Sequence, residues 1–481
     1  MKTELHFHIS NFKSIRDANL TVRKGLNILI GPNGAGKTCL FSAIRFIKDV
    51  VQLGSALAIA KAGGPKRAYN HNSDKITMSL IFDYGERTYR RKRYPCTGCW
   101  KFSITQEGED DIAIISYEEI RIYFLLEDKE IDLFNITVKR QKDKCTVSSR
   151  LVDSVDFGRD LFGLWRSEYA NKNKVAIHKA FTELLNEFGK QIKVDPDKSF
   201  LRHITPLDTD LASVVNSFRR LNEYNILPNV ARSSVEQLPY AVMESDGRGV
   251  SEVIDALEKR TFHKIEFSIS NAQEEMPYFD RLKHPAFFMS GRVFIFGPYP
   301  GARLSGKERG SLINALEKIQ SELSAGVRPI NEVATQIDQT NGKRFVVFRS
   351  DDDVFFPEEV SDGTIKWLCI LVSIYVPNAR IYLLEEPENF LHPWMQQRLI
   401  ENMRIQAEES DTYYLLTSHS TTILNASYPQ ELRIVKPTEN GTVIEDIPNI
   451  EEIEKALIES DFGLGDLWVS GAIEGVPTYE G

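Results

Sequence analysis

The sequence predicts an α/β fold in which both ends of the chain contribute to one sheet, together with an antiparallel β layer and an inserted, mainly helical domain. Strand-like and helical segments alternate near the beginning of the chain and again after residue 290. Short strand-like runs with turns between them occupy residues 75–150, whereas helical spacing of apolar residues dominates residues 154–262. The three expected parts are residues 1–150, 151–289 and 290–481.

Composition and charge are those of a globular protein. Of 481 residues, 42% are hydrophobic and 26% are charged, which excludes a disordered chain and favours more than one packed unit. A net charge of -9 argues against a protein that coats nucleic acid. The five scattered cysteines fit reduced thiols better than a disulfide framework. Because we also find no signal peptide and no apolar run long enough to cross a bilayer, we expect a cytoplasmic protein without membrane contact.

The first elements in chain order are two strand-like runs, residues 5–12 and 26–31, with a charged connecting segment between them. A glycine-rich loop follows the second run directly. Residues 39–51 then space their apolar side chains at helical period. The loop at residues 31–38 is therefore expected between the end of a strand and the start of a helix.

That loop, Gly-Pro-Asn-Gly-Ala-Gly-Lys-Thr, fits the G-x-x-x-x-G-K-[ST] pattern of a phosphate-binding loop. Its glycines let successive backbone N–H groups converge on phosphate oxygens at a helix N-terminus. Lys37 would reach the β- and γ-phosphates, and the hydroxyl of Thr38 would bind Mg²⁺. The predicted nucleotide-binding residues of the loop are Asn33, Gly34, Gly36, Lys37 and Thr38.

Three segments nearer the other end place polar groups after apolar strands or at a helix start. Residues 381–386 form an apolar run that ends in two carboxylates, where a sheet would place acids beside a phosphate loop. Residues 415–420 form a second apolar run that ends in hydroxyls and a histidine, with room for one helix between the two strands. Residues 360–364, Val-Ser-Asp-Gly-Thr, open a helical run and form a second loop that could meet phosphate.

In this order, the segments NFKSI, GPNGAGKT, VSDGT, LLEEPENFLHP and TSHS resemble the ABC-type ATPases of the RecF/SMC-like group, in particular the soluble ATPases related to the OLD family. The resemblance covers residues 4–50 and 345–425. It implies that the α/β fold is an ABC-type P-loop ATPase head, with ATP and Mg²⁺ as its ligands.

The resemblance also implies a role for each residue of these segments. Glu386 would be the catalytic carboxylate that orients or deprotonates the attacking water, and His419 would contact the γ-phosphate. Ser361 and Gly363 would belong to a signature loop that closes over ATP bound by another protomer, so hydrolysis would need a head-to-tail dimer within a larger oligomer. Glu385 would replace the usual aspartate beside Mg²⁺, with one methylene more.

The biological role that the resemblance implies is regulatory. No sustained heptad pattern is visible, so we expect a compact insertion, and only 62 residues follow His419, where we expect no Toprim nuclease domain. The chain would then be a slow or regulated ATPase in a prokaryotic anti-phage defence complex, similar to Septu (PtuA-like) systems. Its effector would be a separate nuclease, with the HNH type favoured over the Toprim type. Two alternatives stay open: a RecF-like repair ATPase that clamps DNA, and a scaffold in which ATP only holds the oligomer together.

Two further features have open interpretations. Five cations between residues 87 and 93, interleaved with tyrosines, would suit a nucleic-acid backbone or would protect a hairpin edge from strand pairing. The acidic, amphipathic segment from residue 449 onward would cap the domain or dock a partner.

Overall fold

In a computed structural model of the chain, the described residues form two large β-sheets with helices packed on them. The described residues are 4–71, 73–89, 92–107, 112–141, 144–151, 155–156, 196–201, 215, 218, 220–265, 286–289, 292–295, 306–351, 353–376, 379–410, 412–438, 441–460 and 462–473.

The strands in chain order are β1 Glu4–Phe12, β2 Ile15–Arg23, β3 Gly25–Ile30, β4 Lys75–Tyr89, β5 Lys92–Glu107, β6 Ile112–Leu126, β7 Lys129–Gln141, β8 Lys144–Leu151, β9 Val155–Asp156, β10 Leu221–Tyr224, β11 Ala286–Met289, β12 Arg292–Ile295, β13 Glu332–Ile337, β14 Arg344–Arg349, β15 Val354–Phe355, β16 Ile381–Glu385, β17 Tyr413–Thr417, β18 Leu432–Thr438 and β19 Gly441–Asp446. The α-helices are α1 Lys37–Leu53, α2 Ser55–Lys61, α3 Pro65–Ala68, α4 Pro228–Ala231, α5 Val250–Glu258, α6 Gly306–Ile313, α7 Ala315–Gly326, α8 Asp362–Tyr375, α9 Pro393–Glu409, α10 Thr421–Asn425, α11 Ile450–Glu459 and α12 Leu464–Val469.

The predicted antiparallel β layer is present as a sheet in the order β2-β1-β4-β5-β6-β7-β8, with β9 beside β4. The charged segment that we expected to connect two strands is itself strand β2. Its residues Ala18, Leu20 and Val22 are buried, and the residues between them are exposed or half-buried. This period of two lets a charged segment pair with β1 while it covers the core with one face.

The second sheet contains strands from both ends of the chain, as predicted. Its order is β10-β16-β17-β3-β18-β19, and all neighbours are parallel except the β18–β19 hairpin. The carboxyl ends of parallel strands meet at one edge of a sheet, where open α/β sheets bind their ligands. The loops after β3, β16 and β17 therefore converge.

Hydrophobic cores cover both faces of this second sheet. One core joins α1 and the antiparallel sheet to the face with Leu29 and Leu383. The other joins α5, α7, α8 and α9 to the face with Ile28 and Leu384. Because both faces are covered, β16 and β17 are continuous apolar runs and do not alternate with polar residues.

The expected helical insertion, residues 151–289, lies largely outside the described residues, but two described elements within it belong to the sheet body. Strand β10 pairs in parallel with β16, and α5 lies in the second core. The helical spacing predicted for residues 154–262 is wrong at β10. Pairing with β16 satisfies backbone groups that would otherwise form a sheet edge, and this tertiary demand overrides the local apolar spacing.

The acidic segment after residue 449 packs partly on the domain. Helix α12 buries Leu464 and Trp468 in the second core, which favours the capping interpretation for that helix. Ile458 of α11, in contrast, is 85% exposed. In the described part of the chain, none of the helices combines the length and the apolar character that crossing a membrane requires.

Candidate nucleotide site

The phosphate loop and the two distal strand ends meet at the carboxyl edge of the second sheet. Glu385 at the end of β16 lies opposite Thr417 of β17, and Thr417 lies opposite Leu29 of β3. The loops that follow these three strands therefore begin side by side. This is the juxtaposition that the order of the segments predicted.

The glycine-rich loop packs against the β18–β19 hairpin. Gly36 has a φ of +102°, and a Cβ at this position would lie 2.4 Å from Thr442 Oγ1, so only glycine fits. Thr442 Oγ1 in turn donates a hydrogen bond to the carbonyl of Ala35 at 3.1 Å. Asn33 and Gly34 are exposed, so this part of the loop is accessible to a ligand while its other side is braced.

Lys37 lies inside the curve of this loop. Its ammonium is buried and donates hydrogen bonds to the carbonyls of Gly31 at 2.8 Å and Pro32 at 3.0 Å. Burial lowers the pKa of Lys37, and the nearby carboxylate of Glu386 opposes this shift. A phosphate in the loop would offer the same ammonium an anionic acceptor.

Glu385 and Glu386 are adjacent in sequence but lie in different environments. Glu385 is half-buried, and its Oε1 has no hydrogen-bond partner in the part of the chain that the structure describes. The carboxylate of Glu386 is exposed and accepts a hydrogen bond from Asn389 Nδ2 at 3.0 Å. One carboxylate is therefore half-buried with an oxygen that has no hydrogen-bond partner among the described residues, and the other is presented to solvent.

The environment of Glu385 fits the prediction that this residue is a ligand of Mg²⁺. Buried polar atoms are usually hydrogen-bonded, whereas Mg²⁺ takes hard oxygen ligands. Glu385 Oε1 and the exposed hydroxyl of Thr38, in the first turn of α1, are such oxygens. Among the described residues, no group of three or more His, Cys, Asp or Glu side chains could hold a metal.

The backbone of Glu386 is held in a strained conformation by three neighbours. Its φ of +41° lies in the left-handed region, which residues with a Cβ rarely adopt. Its N–H donates to the carbonyl of Thr417 at 3.1 Å and to the hydroxyl of that residue at 3.2 Å. Its carbonyl accepts hydrogen bonds from the N–H of Asn389 and from Lys366 Nζ. These contacts fix the backbone position from which the Glu386 side chain extends.

Glu388, to which sequence reasoning assigned no role, ties the acidic segment to the histidine segment. Its Oε1 accepts hydrogen bonds from Ser418 Oγ at 2.8 Å and from the N–H of His419 at 2.9 Å. Burial, and then the charge of Lys37, lower the pKa of His419, while Glu386 and Glu388 oppose the shift. The imidazole is therefore neutral near pH 7. The N–H of Ser418, next to His419, donates to the carbonyl of Leu29 near the end of β3 at 3.3 Å. The histidine segment therefore lies beside the strand that leads into the loop with Lys37.

The segment at residues 360–364 lies against the acidic segment of the same chain. Ser361 is exposed and caps α8, accepting a hydrogen bond from the N–H of Thr364 at 3.2 Å. A Cβ on Gly363 would lie 2.5 Å from the carbonyl oxygen of Phe390. Glycine at this position lets the start of α8 approach the backbone that follows Glu386.

Arg232 is a residue of this region that sequence reasoning missed. Its guanidinium donates to the carbonyls of Pro357 and Val360, both at 2.8 Å, and pairs with the carboxylate of Asp362. It therefore holds the backbone that precedes Ser361 and the side chain of the residue that follows it. No local signal could identify it, because its partners lie 125 to 130 residues further along the chain.

The cation cluster near the β4–β5 turn is described only in part, since Arg90 and Arg91 lie outside the described residues. Arg93 is 80% exposed at this turn, and the guanidinium of Arg87 stacks 4.5 Å from the ring centre of Tyr84. Exposed cations at a strand end fit both predicted roles, which are contact with a nucleic-acid backbone and protection of a hairpin edge from strand pairing.

Comparison with known proteins shows the family to which this chain belongs. The model of the family described as AAA ATPase domain matches residues 5–424. The DNA replication and repair protein RecF of Shewanella woodyi is 34% identical over 80 residues, which are 17% of this chain and 20% of that protein. RecF of Hydrogenovibrio crunogenus is 46% identical over 44 residues, 9% of this chain and 12% of that protein. The chain thus spans about a fifth or less of the length of these curated relatives.

Solved structures similar to this one are heads of SMC proteins. The Smc head bound to the C-terminal winged-helix domain of ScpA has a TM-score of 0.42 at 10% identity, over 93% of this chain and 98% of that one. The Smc head with an extended coiled coil, bound to the C-terminal domain of ScpA from Pyrococcus furiosus, has a TM-score of 0.43 at 11% identity, over 95% and 99%.

Proposed function

Because the chain belongs to the AAA ATPase domain family, we propose that it binds ATP at residues 31–38 and hydrolyses it. Its mixed α/β fold, with an antiparallel β layer against the phosphate-loop sheet, is that of an ABC-type, RecF/SMC-like ATPase head. The observation that carries the proposal is that the segments with Lys37, Glu386 and His419 follow neighbouring parallel strands and converge at one sheet edge. A cation for phosphate, a presented carboxylate and an imidazole are groups that can serve phosphoryl transfer to water.

Each of these side chains has a task in the proposed reaction. Lys37 binds the β- and γ-phosphates, and Glu386, oriented by Asn389, accepts a proton from the attacking water or aligns it. His419, fixed by its N–H bond to Glu388, offers a neutral imidazole to the γ-phosphate. When bound through Thr38 and Glu385, Mg²⁺ would neutralise negative charge on the phosphates.

The second part of the proposal is a head-to-tail dimer that sandwiches two ATP molecules. Ser361 is exposed at the N-terminus of α8, a position that suits an anion supplied from outside the chain. Phe390, whose carbonyl oxygen lies close to Gly363, is 62% exposed, and exposed aromatic side chains are common at protein interfaces. The signature loop and Phe390 would then face the second protomer together.

Ser361→Arg tests the sandwich. We expect ATP binding by the single chain to be unchanged, because residues 31–38 are untouched, and hydrolysis to fall by about 100-fold or more, the scale of losing transition-state donors. The added side chain would occupy the space of the partner's nucleotide. Binding is measured with a fluorescent ATP analogue, turnover by phosphate release, and mass by light scattering. Ser321→Arg, on the exposed side of α7, is the matched control. Full turnover by Ser361→Arg would remove Ser361 from the site.

We further propose that this ATPase is the regulatory subunit of an anti-phage defence complex with a separate nuclease, preferentially of the HNH type. The support is the resemblance of residues 4–50 and 345–425 to OLD-related ATPases, which points to anti-phage systems such as Septu. The competing function is a RecF-like clamp on DNA, favoured by the RecF matches and by the exposed cation at Arg93. A purely structural ATP is the third candidate.

Recovery of partners distinguishes these functions. The tagged Glu386→Gln chain is purified from its native host with ATP and Mg²⁺, and the co-purifying molecules are identified by mass spectrometry and nucleic-acid staining. We expect a nuclease in fixed ratio, which is released from the Lys37→Ala chain. DNA that co-purifies without a nuclease, and is lost at high salt, would favour the clamp. Bound ATP without any turnover of the wild-type chain would favour the scaffold.

A further inference from the structure

Lys366 is a buried lysine that the proposed chemistry does not use. It lies on α8, five residues after Ser361, and its side chain is almost fully buried. Its ammonium donates a hydrogen bond to the carbonyl of Glu386 at 3.3 Å and lies 5.7 Å from the ring centre of Phe390. One helix therefore begins with the exposed signature serine and, one turn later, contacts the backbone of the presented carboxylate.

Lys366 contacts the strained backbone of Glu386. The Glu386 peptide is held from the sheet side by Thr417, and from the helix side Lys366 reaches its carbonyl. A left-handed residue with a Cβ persists only where its surroundings specify it. A displacement of α8 therefore moves one of the groups that specify the conformation of Glu386. Lys366 therefore acts on the carboxylate as a positioning residue, through the backbone of Glu386.

The charges around Lys366 favour its ammonium form at neutral pH. Burial lowers the pKa of Lys366 to about 8, and Glu388 and Glu386 oppose that shift. Glu388 Oε2 is buried and has no hydrogen-bond partner among the described residues. The negative charge of Glu388 attracts the ammonium of Lys366. This attraction keeps α8 against the acidic segment.

We propose that Lys366 couples the two nucleotide sites of the dimer. This inference rests on the proposed sandwich, in which Ser361 closes over ATP held by the partner subunit, whereas Glu386 acts on ATP held by its own chain. Helix α8 is buried from Thr364 to Tyr375, so it transmits displacement as a packed unit. Engagement of the signature loop at one site thus sets the position of the catalytic carboxylate at the other.

The test compares Lys366→Met with wild type in ATP titrations of steady-state hydrolysis. Met keeps an apolar stem but removes the donor and the charge. We expect ATP affinity at residues 31–38 to change less than about two-fold, and kcat to fall by about 10- to 100-fold, the scale of a misplaced catalytic group. The Hill coefficient should fall from above one to one. Lys366→Arg, which keeps a cationic donor, should retain cooperativity.

The controls separate coupling from a merely structural role and from failure of the sandwich. Lys455→Met, at a side chain that is 72% exposed, should behave as wild type. Lys366→Gln, which is too short to reach the Glu386 carbonyl, replaces the Met variant if the latter unfolds at the assay temperature. A wild-type Hill coefficient in both variants, with or without a lower kcat, would overturn the coupling. A wild-type protein that forms the ATP-dependent dimer but hydrolyses ATP without cooperativity would overturn the coupling alone. A wild-type protein that forms no dimer with ATP would contradict the sandwich.

Discussion

The Lys37→Ala protein is expected not to bind ATP at millimolar concentration. Lys37 is the buried cation of the phosphate loop, and its ammonium already points at the loop carbonyls that curve around the phosphate position. Each charge-assisted hydrogen bond that it would make to phosphate contributes about 1.5–3 kcal/mol. Two such bonds correspond to a loss of affinity of about 100-fold or more, since about 1.4 kcal/mol is tenfold.

Isothermal titration with ATP and Mg²⁺ measures this loss directly. Thermal unfolding without nucleotide must accompany it, because the carbonyls of Gly31 and Pro32 lose their donor in the variant. Lys61→Ala, at a side chain that is 61% exposed on α2, serves as the matched control. A folded Lys37→Ala protein with wild-type affinity would refute the assignment of residues 31–38 to phosphate binding.

Glu386→Gln is expected to bind ATP normally, to hydrolyse it at least about 100-fold more slowly, and to accumulate as a closed dimer. Removal of a general base typically costs about 10²- to 10⁴-fold in rate. The Gln side chain has the same size and still offers an oxygen to Asn389 Nδ2, so the geometry of the site is kept. Because the ATP that holds the sandwich together is no longer cleaved, the dimer should persist.

Single-turnover hydrolysis and light scattering with ATP and Mg²⁺ test both parts of this prediction. Glu459→Gln, which neutralises an exposed carboxylate on α11, controls for the loss of one negative charge. Turnover at the wild-type rate in the Glu386→Gln protein would exclude Glu386 as the catalytic carboxylate. Slow turnover without a dimer would leave Glu386 in place but contradict the head-to-tail sandwich.

Several parts of the site were predictable because short segments of the chain carry them. The loop at residues 31–38 must have glycine where φ is positive, and Gly36 shows why, since Thr442 leaves no room for a Cβ. The apolar runs that end in Glu385 and in Thr417 read as buried parallel strands, and parallel strands end at one edge. Local pattern and this topological rule together placed the phosphate loop beside the acids and the histidine.

Other parts could not be predicted because they depend on contacts between distant segments. Arg232 has its partners more than a hundred residues away, and Glu388 joins two loops through hydrogen bonds to the backbone and to a hydroxyl. Strand β10 continues an apolar pattern of helical spacing and becomes a strand only beside β16. No periodicity or motif marks such residues.

The sequence by itself thus determined the α/β class, the antiparallel layer, the phosphate loop and the candidate residues of the site. Only the tertiary structure decided which groups hold them: Thr442 behind the loop, Arg232 beside Ser361, and Lys366 beneath Glu386. The physical reason is the distance along the chain over which each property is determined. Backbone conformation and strand burial depend on neighbouring residues, whereas the burial and pairing of a single charge depend on whichever distant segment packs against it.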